Sequence, residues 1–461
     1  MTAKGELVPG HARLIALVGL LVSGVVLLAS TTCWAQEGRG APFRIPQDGN
    51  QEELVGGLDY EAPSALAFDS RNRPYMFHTR EPGSFGYILT LRNGEWERLS
   101  YLEILRQAYP KLILPSGRHL HAIGTITVDD AGGLYAVLQV RKTKKTSGYT
   151  LLYSPDLGQS FQVYDLPGTA FLEVRVGHND VLAPPAIGLL KYRKAYPTRW
   201  TSYHHLSVLL PERKGDRLDL RQPIPITEDC FGISNHSGGY SFAVTTGRKT
   251  HLVYAEIPEK PEGGNPTYVA TIDRVKRQVT GRKLLVTATP KKADVHSTPV
   301  IVADKEGHLH VIAGSHGQHF YYLRSDVPDT IEDGFSEPSP MAKGQTYATL
   351  ICDGNDELHS VFRVHPRLLY QEKTASSDTW SKPKPLVRAP RGHKGYTIFY
   401  HRLFIDRAGA LYLSFTFFEF NTTGKGRYPR ALALSEDGGK TWRLATRESF
   451  VRRIRAHEGW R

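Results

Sequence analysis

Residues 294–322 read DVHSTPVIVADKEGHLHVIAGSHGQHFYY and carry five histidines: His296, His308, His310, His316 and His319. The alternating apolar stretches on either side of DKEG predict an antiparallel hairpin, which returns to the edge where it began. His296, just before the first strand, and His316, just after the second, are therefore expected side by side although twenty residues apart. His308 and His310, at the turn and in the second strand, read as surface or packing residues. The construction recurs with different chemistry: Tyr347 precedes ATLICDG and Arg363 closes ELHSVFR, sixteen residues later.

Two histidines, a tyrosine and an arginine at one rim suit β-elimination from a uronic acid. Taking the C5 proton loads charge onto the adjoining carboxylate, which needs a cation or strong donor. The planar guanidinium of Arg363 matches a carboxylate in two bonds. A base removes the proton and an acid protonates the leaving oxygen; Tyr347 can do either beside a cation, and histidine is the usual alternative. His319, Tyr321, His401 and His121 are the candidate substrate-binding groups around the same mouth. His119, before the strand AIGTITVDD, and His178 and His236, in loops between strands, compete for such a role.

The elements that must hold these groups are strands. Five hairpins share one pattern of strand, Asp/Gly-rich turn and strand: 64–79, 124–140, 299–314, 349–364 and 402–417. Asp, Asn and Gly tolerate the dihedrals of such turns. A second motif closes other hairpins: Ser154-Pro-Asp156-Leu-Gly158-Gln-Ser160-Phe161 and Ser435-Glu-Asp437-Gly-Gly439-Lys-Thr441-Trp442. It resembles the Asp-box of sialidase-type propellers, a structural turn rather than a catalytic one. Hairpin pairs fall at 58–105, 118–167, 170–226, 237–290, 294–340, 345–390 and 394–447. The expected fold is all-β: a seven-bladed β-propeller of four-stranded antiparallel blades. Helical periodicity appears at 101–109, YLEILRQAY.

Residues 1–35 read as a signal peptide, with a basic start, the apolar run LIALVGLLVSGVVLLAS and a small residue at Ala35. Cys33 raises lipidation as an alternative. Residues 36–57 read as a polar linker, 58–450 as the propeller and 451–461 as a basic tail. The expected location is secreted or periplasmic, without stable membrane insertion after cleavage. Three cysteines in 461 residues exclude a disulfide scaffold. A net charge of +12 points to an anionic partner, which outside the cytoplasm is an acidic polysaccharide rather than nucleic acid. A monomer is expected. The cofactor is left unknown: the proposed chemistry requires none. Cys230, Cys352, His365 and His401 could serve a structural metal, but no C-x-x-C spacing is present.

The run from His296 to Arg363 resembles the BNR-4 type propellers, which include the ulvan lyases. YHRLFIDRAGALYLSFTF and YYLRSDVPDTIEDGFSEP are similar to that family's blade sequences. The resemblance covers roughly 290–445. It implies a polysaccharide lyase in which His296 and His316 are the histidine pair, Tyr347 the catalytic tyrosine and Arg363 the uronate-neutralising residue. It also implies that a structural zinc can occur. The chain departs from the pattern in the late position of the histidine pair and in Ala348, where such lyases tend to have proline. Two other readings stand beside it. One is a propeller glycoside hydrolase, either single-histidine or sialidase-like; Phe43-Arg44-Ile45-Pro46 spells the opening motif of the latter, but QDGNQEE follows where a buried strand should. The other is a non-catalytic glycan-binding propeller.

Overall fold

The computed structural model describes residues 43–44, 62–78, 86–110, 112, 125–141, 147–179, 182–195, 202–232, 241–258, 264–288, 295–314, 316–343, 346–388, 398–417, 419–420, 426–427 and 430–458. The chain divides into two units, Met1–Ala35 and Gln36–Arg461, and everything described lies in the second. His121, Cys33, the apolar run and its cleavage point lie outside the described residues. Among the described residues, no helix is long and apolar enough to cross a membrane.

The protein is all-β. Among the described residues, seven sheets follow one another along the chain, each with four antiparallel strands and the sixth with one strand more, and there are two small hairpins besides. The first sheet holds Ala65–Phe68, Pro74–His78, Tyr87–Arg92 and Glu95–Ser100. The second, third and fourth occupy 125–166, 169–230 and 243–288. The fifth holds Val300–Ala303, Leu309–Ala313, Tyr321–Arg324 and Ser339–Pro340. The sixth holds Ile351–Cys352, Leu358–Val364, Arg367–Lys373 and Lys384–Arg388; the seventh holds Ile398–Ile405, Leu411–Phe417, Arg430–Ser435 and Arg443–Leu444. Each sheet falls on one of the seven expected segments, its ends differing by a few residues.

The first turn of five sheets is built by one aspartate. Oδ1 of Asp69, Asp129, Asp353 and Asp406 accepts from the backbone N–H groups two and four residues on; Asp304 accepts from that of His308. The residue six positions after each aspartate is Tyr75, Tyr135, His310, His359 or Tyr412. Four of these turn back to the other carboxylate oxygen. Tyr135 Oη lies 2.7 Å from Asp129 Oδ2, His310 Nε2 3.1 Å from Asp304, His359 Nε2 3.3 Å from Asp353 and Tyr412 Oη 3.4 Å from Asp406. His310 and His359 are thus buried structural residues standing where other sheets place tyrosine. Their Nδ1 atoms meet Tyr322 Oη and Tyr370 Oη, each at 2.7 Å. His308 is also buried, with Nδ1 2.9 Å from the Ser325 carbonyl.

Both Asp-box turns form as local devices. Ser154 Oγ donates to Asp156 Oδ1 at 2.7 Å and Ser435 Oγ to Asp437 Oδ1 at 2.9 Å. The Gly158 and Gly439 N–H groups donate back to the two hydroxyls. Trp442 is buried against Tyr370 of the sixth sheet.

First strands of different sheets lie near one another. One small cavity is lined by Ala65, Thr125, Val174, Ser241, Leu350 and Leu403, which come from six of the seven sheets or their first-strand flanks. Residues 174–179, after the third sheet's first strand, reach the fifth and sixth sheets. The Cys352 N–H donates to the Val176 carbonyl (2.9 Å) and that of His178 to the Ala303 carbonyl (3.3 Å). The seventh sheet meets the first: Ser414 Oγ donates to the Pro63 carbonyl (2.6 Å) and Asn72 Nδ2 to Asp406 Oδ2 (3.3 Å).

Two termini differ from expectation. Residues 451–458, expected as a basic tail, complete a helix, Arg447–Glu458. It is amphipathic enough to bury Phe450 and Ile454, and Phe450 stacks on Tyr412 with ring centroids 5.2 Å apart. Phe43–Arg44, inside the expected linker, add a fifth, parallel strand to the sixth sheet, with Arg44 opposite Arg388. The expected helix at 101–109 is present as Tyr101–Ala108, capped by Ser100, whose Oγ accepts from the Glu103 N–H.

Candidate functional site

His296 sits in a single 3-10 turn, Val295–Ser297, held by Thr298 Oγ1 donating to the Val295 carbonyl at 2.9 Å. The fifth sheet's second strand returns beside it. Its end passes so close that a Cβ on Gly314 would stand 2.6 Å from the Ser297 carbonyl carbon. Glycine there lets the chain bring His316 in, and the His316 N–H donates to Ser297 Oγ at 3.2 Å. The two imidazole centroids are 4.8 Å apart.

Tyr347 and Arg363 meet by the same closure in the sixth sheet. Thr346 and Arg363 exchange backbone hydrogen bonds of 3.0 and 2.9 Å. Tyr347 adopts φ +59°, a left-handed conformation that a tyrosine rarely takes and that recurs where a site constrains the backbone. Its ring lies edge-on to His296 with centroids 5.2 Å apart, and the Arg363 guanidinium carbon stands 4.5 Å above it. Arg363 Nη1 donates to the Ile398 carbonyl at 3.4 Å, which ties the guanidinium to the seventh sheet. His296 and His316 are partly exposed, whereas Tyr347 is 1% exposed and Arg363 buried. Solvent therefore reaches this cluster from its histidine side.

His401 completes the underside. A bulge between Phe399 and Arg402 interrupts pairing in the seventh sheet, and within it Tyr400 takes φ +52°. His401 Nε2 lies 2.8 Å from the Tyr347 carbonyl, and its ring centroid is 6.3 Å from that of Tyr347. Burial pushes the His401 imidazole down to about 4; the hydrogen bond to Tyr347 opposes this and the Arg363 charge adds to it. His401 is fully buried, and its imidazole contacts the Tyr347 backbone.

That depression has a sign. Above about pH 6.5 His401 is neutral folded and unfolded. As pH falls below that, the unfolded chain takes up a proton the folded protein resists until about 4, so stability declines across this window. The loss attributable to His401 is roughly 3 kcal/mol. Denaturant titrations between pH 7 and 4 should show it, and His401→Gln should flatten the decline without abolishing it. His251, buried in the fourth sheet and pushed down to about 3, retains its share. An unchanged slope in the variant would mean that His401 takes up its proton without cost.

The other expected groups have partners within the fifth sheet and its flank. His319 Nδ1 meets the Met341 carbonyl at 2.7 Å, and Tyr321 pairs with Ala313 and Pro340 in the fifth sheet. No described contact sets either against Tyr347. Of the four metal candidates, only Cys352 enters a ligand-like group. Cys230 hydrogen-bonds within its own turn, the Gly232 N–H donating to its sulfur at 3.3 Å. Cys352 lies with His178 and Asp356, their donor atoms within 4.8 Å of one another. Asp356 Oδ1 is 3.3 Å from His178 Nε2 and 3.9 Å from Cys352 Sγ. Burial, then Asp356, Asp304 and Asp353, push the Cys352 thiol up. A nitrogen, sulfur and carboxylate set could hold a zinc-like ion, whose charge would oppose that push. It lies at the first turn of the sixth sheet, the opposite end of the strands from Tyr347. No spacing in the chain signals it, because His178 arrives there on the 174–179 crossing segment.

Fold and site together define an all-β protein of repeated four-stranded sheets with a His–His–Tyr–Arg cluster at the strand ends of two successive sheets. Residues 266–458, which carry that cluster, match the model of a BNR repeat-containing family. No curated protein matches the chain significantly. Among solved structures it is similar to an ulvan lyase of polysaccharide lyase family PL25, with 16% identity over 49% of this chain and 60% of that one and a TM-score of 0.38. It is also similar to an α-L-arabinanase from Penicillium chrysogenum (12% identity, 65% and 89% covered, TM-score 0.38). A GH74 xyloglucanase from Xanthomonas campestris is a third (12%, 84% and 59% covered, TM-score 0.42). The aligned part thus spans less than two thirds of the ulvan lyase's own length.

Proposed function

We propose that the seven sheets close into a seven-bladed β-propeller, exported to the periplasm or beyond, that cleaves uronic-acid-containing polysaccharide by β-elimination. The observation that carries this reading is the convergence of His296, His316, Tyr347 and Arg363. Their rings and guanidinium lie 4.5 to 5.2 Å from one another in sequence-distant pairs. Arg363 holds the uronate carboxylate and stabilises the charge that grows on it as the C5 proton leaves. Tyr347 exchanges protons at C5 or at the departing O4, and His296 and His316 position the sugar and share the transfer. The C4–O4 bond breaks as the C4–C5 double bond forms, and the freed oxygen takes a proton. The 1% exposure of Tyr347 requires side chains on the histidine side to give way as the sugar enters.

The sialidase-like alternative needs Arg44 among the pocket arginines. Its backbone instead lies against the last strand of the sixth sheet, the far edge from Ile351–Cys352. The deciding experiment incubates purified mature protein with sulfated and unsulfated uronate polysaccharides and follows ultraviolet absorbance of the new double bond. Rising absorbance is expected. New reducing ends without it would make the protein a hydrolase, and binding without either product would make it a glycan-binding propeller.

A further inference from the structure

In the third sheet the second strand overhangs the first by an exposed stretch. Its second strand, Ile187–Ala195, pairs with the first strand only as far as Leu190. Ile187 to Leu190 are buried; Lys191, Tyr192, Arg193, Lys194 and Ala195 are all exposed, paired on one side with Ser202–Leu209. A projecting hairpin normally carries small polar residues, yet this one reads Lys-Tyr-Arg-Lys on one strand and Tyr-His-His on the other.

Tyr192, opposite His204, lies on one face of the hairpin, and Lys191 and Lys194, opposite His205 and Tyr203, lie on the other. Tyr192 is 60% exposed and stands edge-on to His204, with centroids 6.2 Å apart. His204 is fixed from below: its ring packs against Gly232, where a Cβ would come within 3.0 Å of Nδ1, and Nδ1 meets the Ser202 carbonyl at 2.8 Å. Lys194 Nζ lies 4.4 Å over the Tyr203 ring. Arg193, at the bulge, turns to the strand behind and pairs with Asp229 at 2.5 Å and Glu228 at 3.5 Å, which braces the hairpin on its own sheet. Lys191 and Lys194 have no ion-pair partner among the described residues. The hairpin joins the second and third strands of its sheet, as the loop carrying His316 does in the fifth, so in a propeller both project from the same face.

We infer that the exposed end of this hairpin is a binding arm for an anionic polysaccharide chain, with Tyr192 stacking on a sugar ring while Lys191 and Lys194 pair with its carboxylate or sulfate groups. A charged sugar polymer lying along the free edge of the overhang meets the Tyr192 ring from one face and the two ammonium groups from the other. This rests on the reading of the protein as one that acts on acidic polysaccharide. It adds where the polymer is held away from the cluster.

The test uses the full mature protein carrying Tyr347→Phe, so that polymer is not consumed, in affinity electrophoresis through gels containing alginate or ulvan. Lys191→Ala/Tyr192→Ala/Lys194→Ala should weaken retention at least tenfold, and retention of the parent should fall steeply as salt is raised. Tyr192→Trp alone should keep it. Unchanged retention in the triple variant, or equal retention in a neutral dextran gel, overturns the arm. A parent that is not retained by either polymer overturns it too. Retention through the arm by a protein whose wild type yields no unsaturated product leaves the arm standing and removes the lyase reading. The substituted side chains are exposed, so circular dichroism and melting of the variant should match the parent.

Discussion

Tyr347→Phe should lower the rate of unsaturated-product formation by a factor on the order of 10³ or more, with polymer binding retained. Positioned proton transfer contributes about 10²–10⁴ to rate, and phenylalanine removes only the oxygen that carries the proton. The ring itself is wanted by the fold: it is buried, edge-on to His296 and beneath the Arg363 guanidinium. Phenylalanine preserves those contacts, so melting should barely move. Arg363→Lys is the companion. It keeps a charge but loses the planar two-bond grip on a carboxylate, and should lose activity by a comparable factor. Steady-state kinetics on one polymer decides both. Full activity in Tyr347→Phe would remove the tyrosine from the mechanism and leave the histidines as the sole proton carriers.

The second large effect is on stability and lies where the seventh sheet meets the first. Asp406 receives bonds at Oδ1 from the Ala408 and Ala410 N–H groups and from Arg453 Nη2 (3.0 Å). At Oδ2 it receives Arg453 Nε (2.9 Å), Asn72 Nδ2 (3.3 Å) and Tyr412 Oη. One buried carboxylate thus holds its own turn, the C-terminal helix and the first sheet. Asp406→Ala leaves the largely buried Arg453 guanidinium without its counter-charge, a change that costs about 3–5 kcal/mol. Equilibrium unfolding should show that loss. Asp406→Leu combined with Arg453→Met should recover part of it, because no lone charge then remains buried. A loss below about 1 kcal/mol for the single variant would mean that the sheets are joined by packing alone.

Much of the fold was legible because its signals are local. Alternation fixes which residues of 299–314 or 349–364 face inward, and a turn aspartate needs only the next four backbone N–H groups. Hence the seven sheets fall where the sequence places seven hairpin pairs. One local signal was open to reading and missed: the tyrosine or histidine six residues after each turn aspartate. It would have marked His310 and His359 as buried partners of Asp304 and Asp353. The hairpin rule also sufficed to bring His296 to His316 and Tyr347 to Arg363, since each pair closes within one sheet.

What joins one pair to the other was beyond that rule. The His296–Tyr347 contact depends on how two sheets are set against each other, and sheet-to-sheet packing leaves no periodicity in the chain. The bulge that puts His401 under Tyr347, the crossing segment that carries His178 to Cys352 and the helix that makes a brace of an apparent tail are likewise tertiary outcomes. Each is stabilised by partners remote in sequence: His401 by the Tyr347 carbonyl, residues 174–179 by Ala303 and Cys352, and Arg453 by Asp406. The sequence alone determined the strands, their turns and the two in-sheet pairs, because those energies are settled within about twenty residues. The tertiary structure decided which pairs share a site and which side chains are shut from water, because burial and charge pairing are properties of neighbours that only packing supplies.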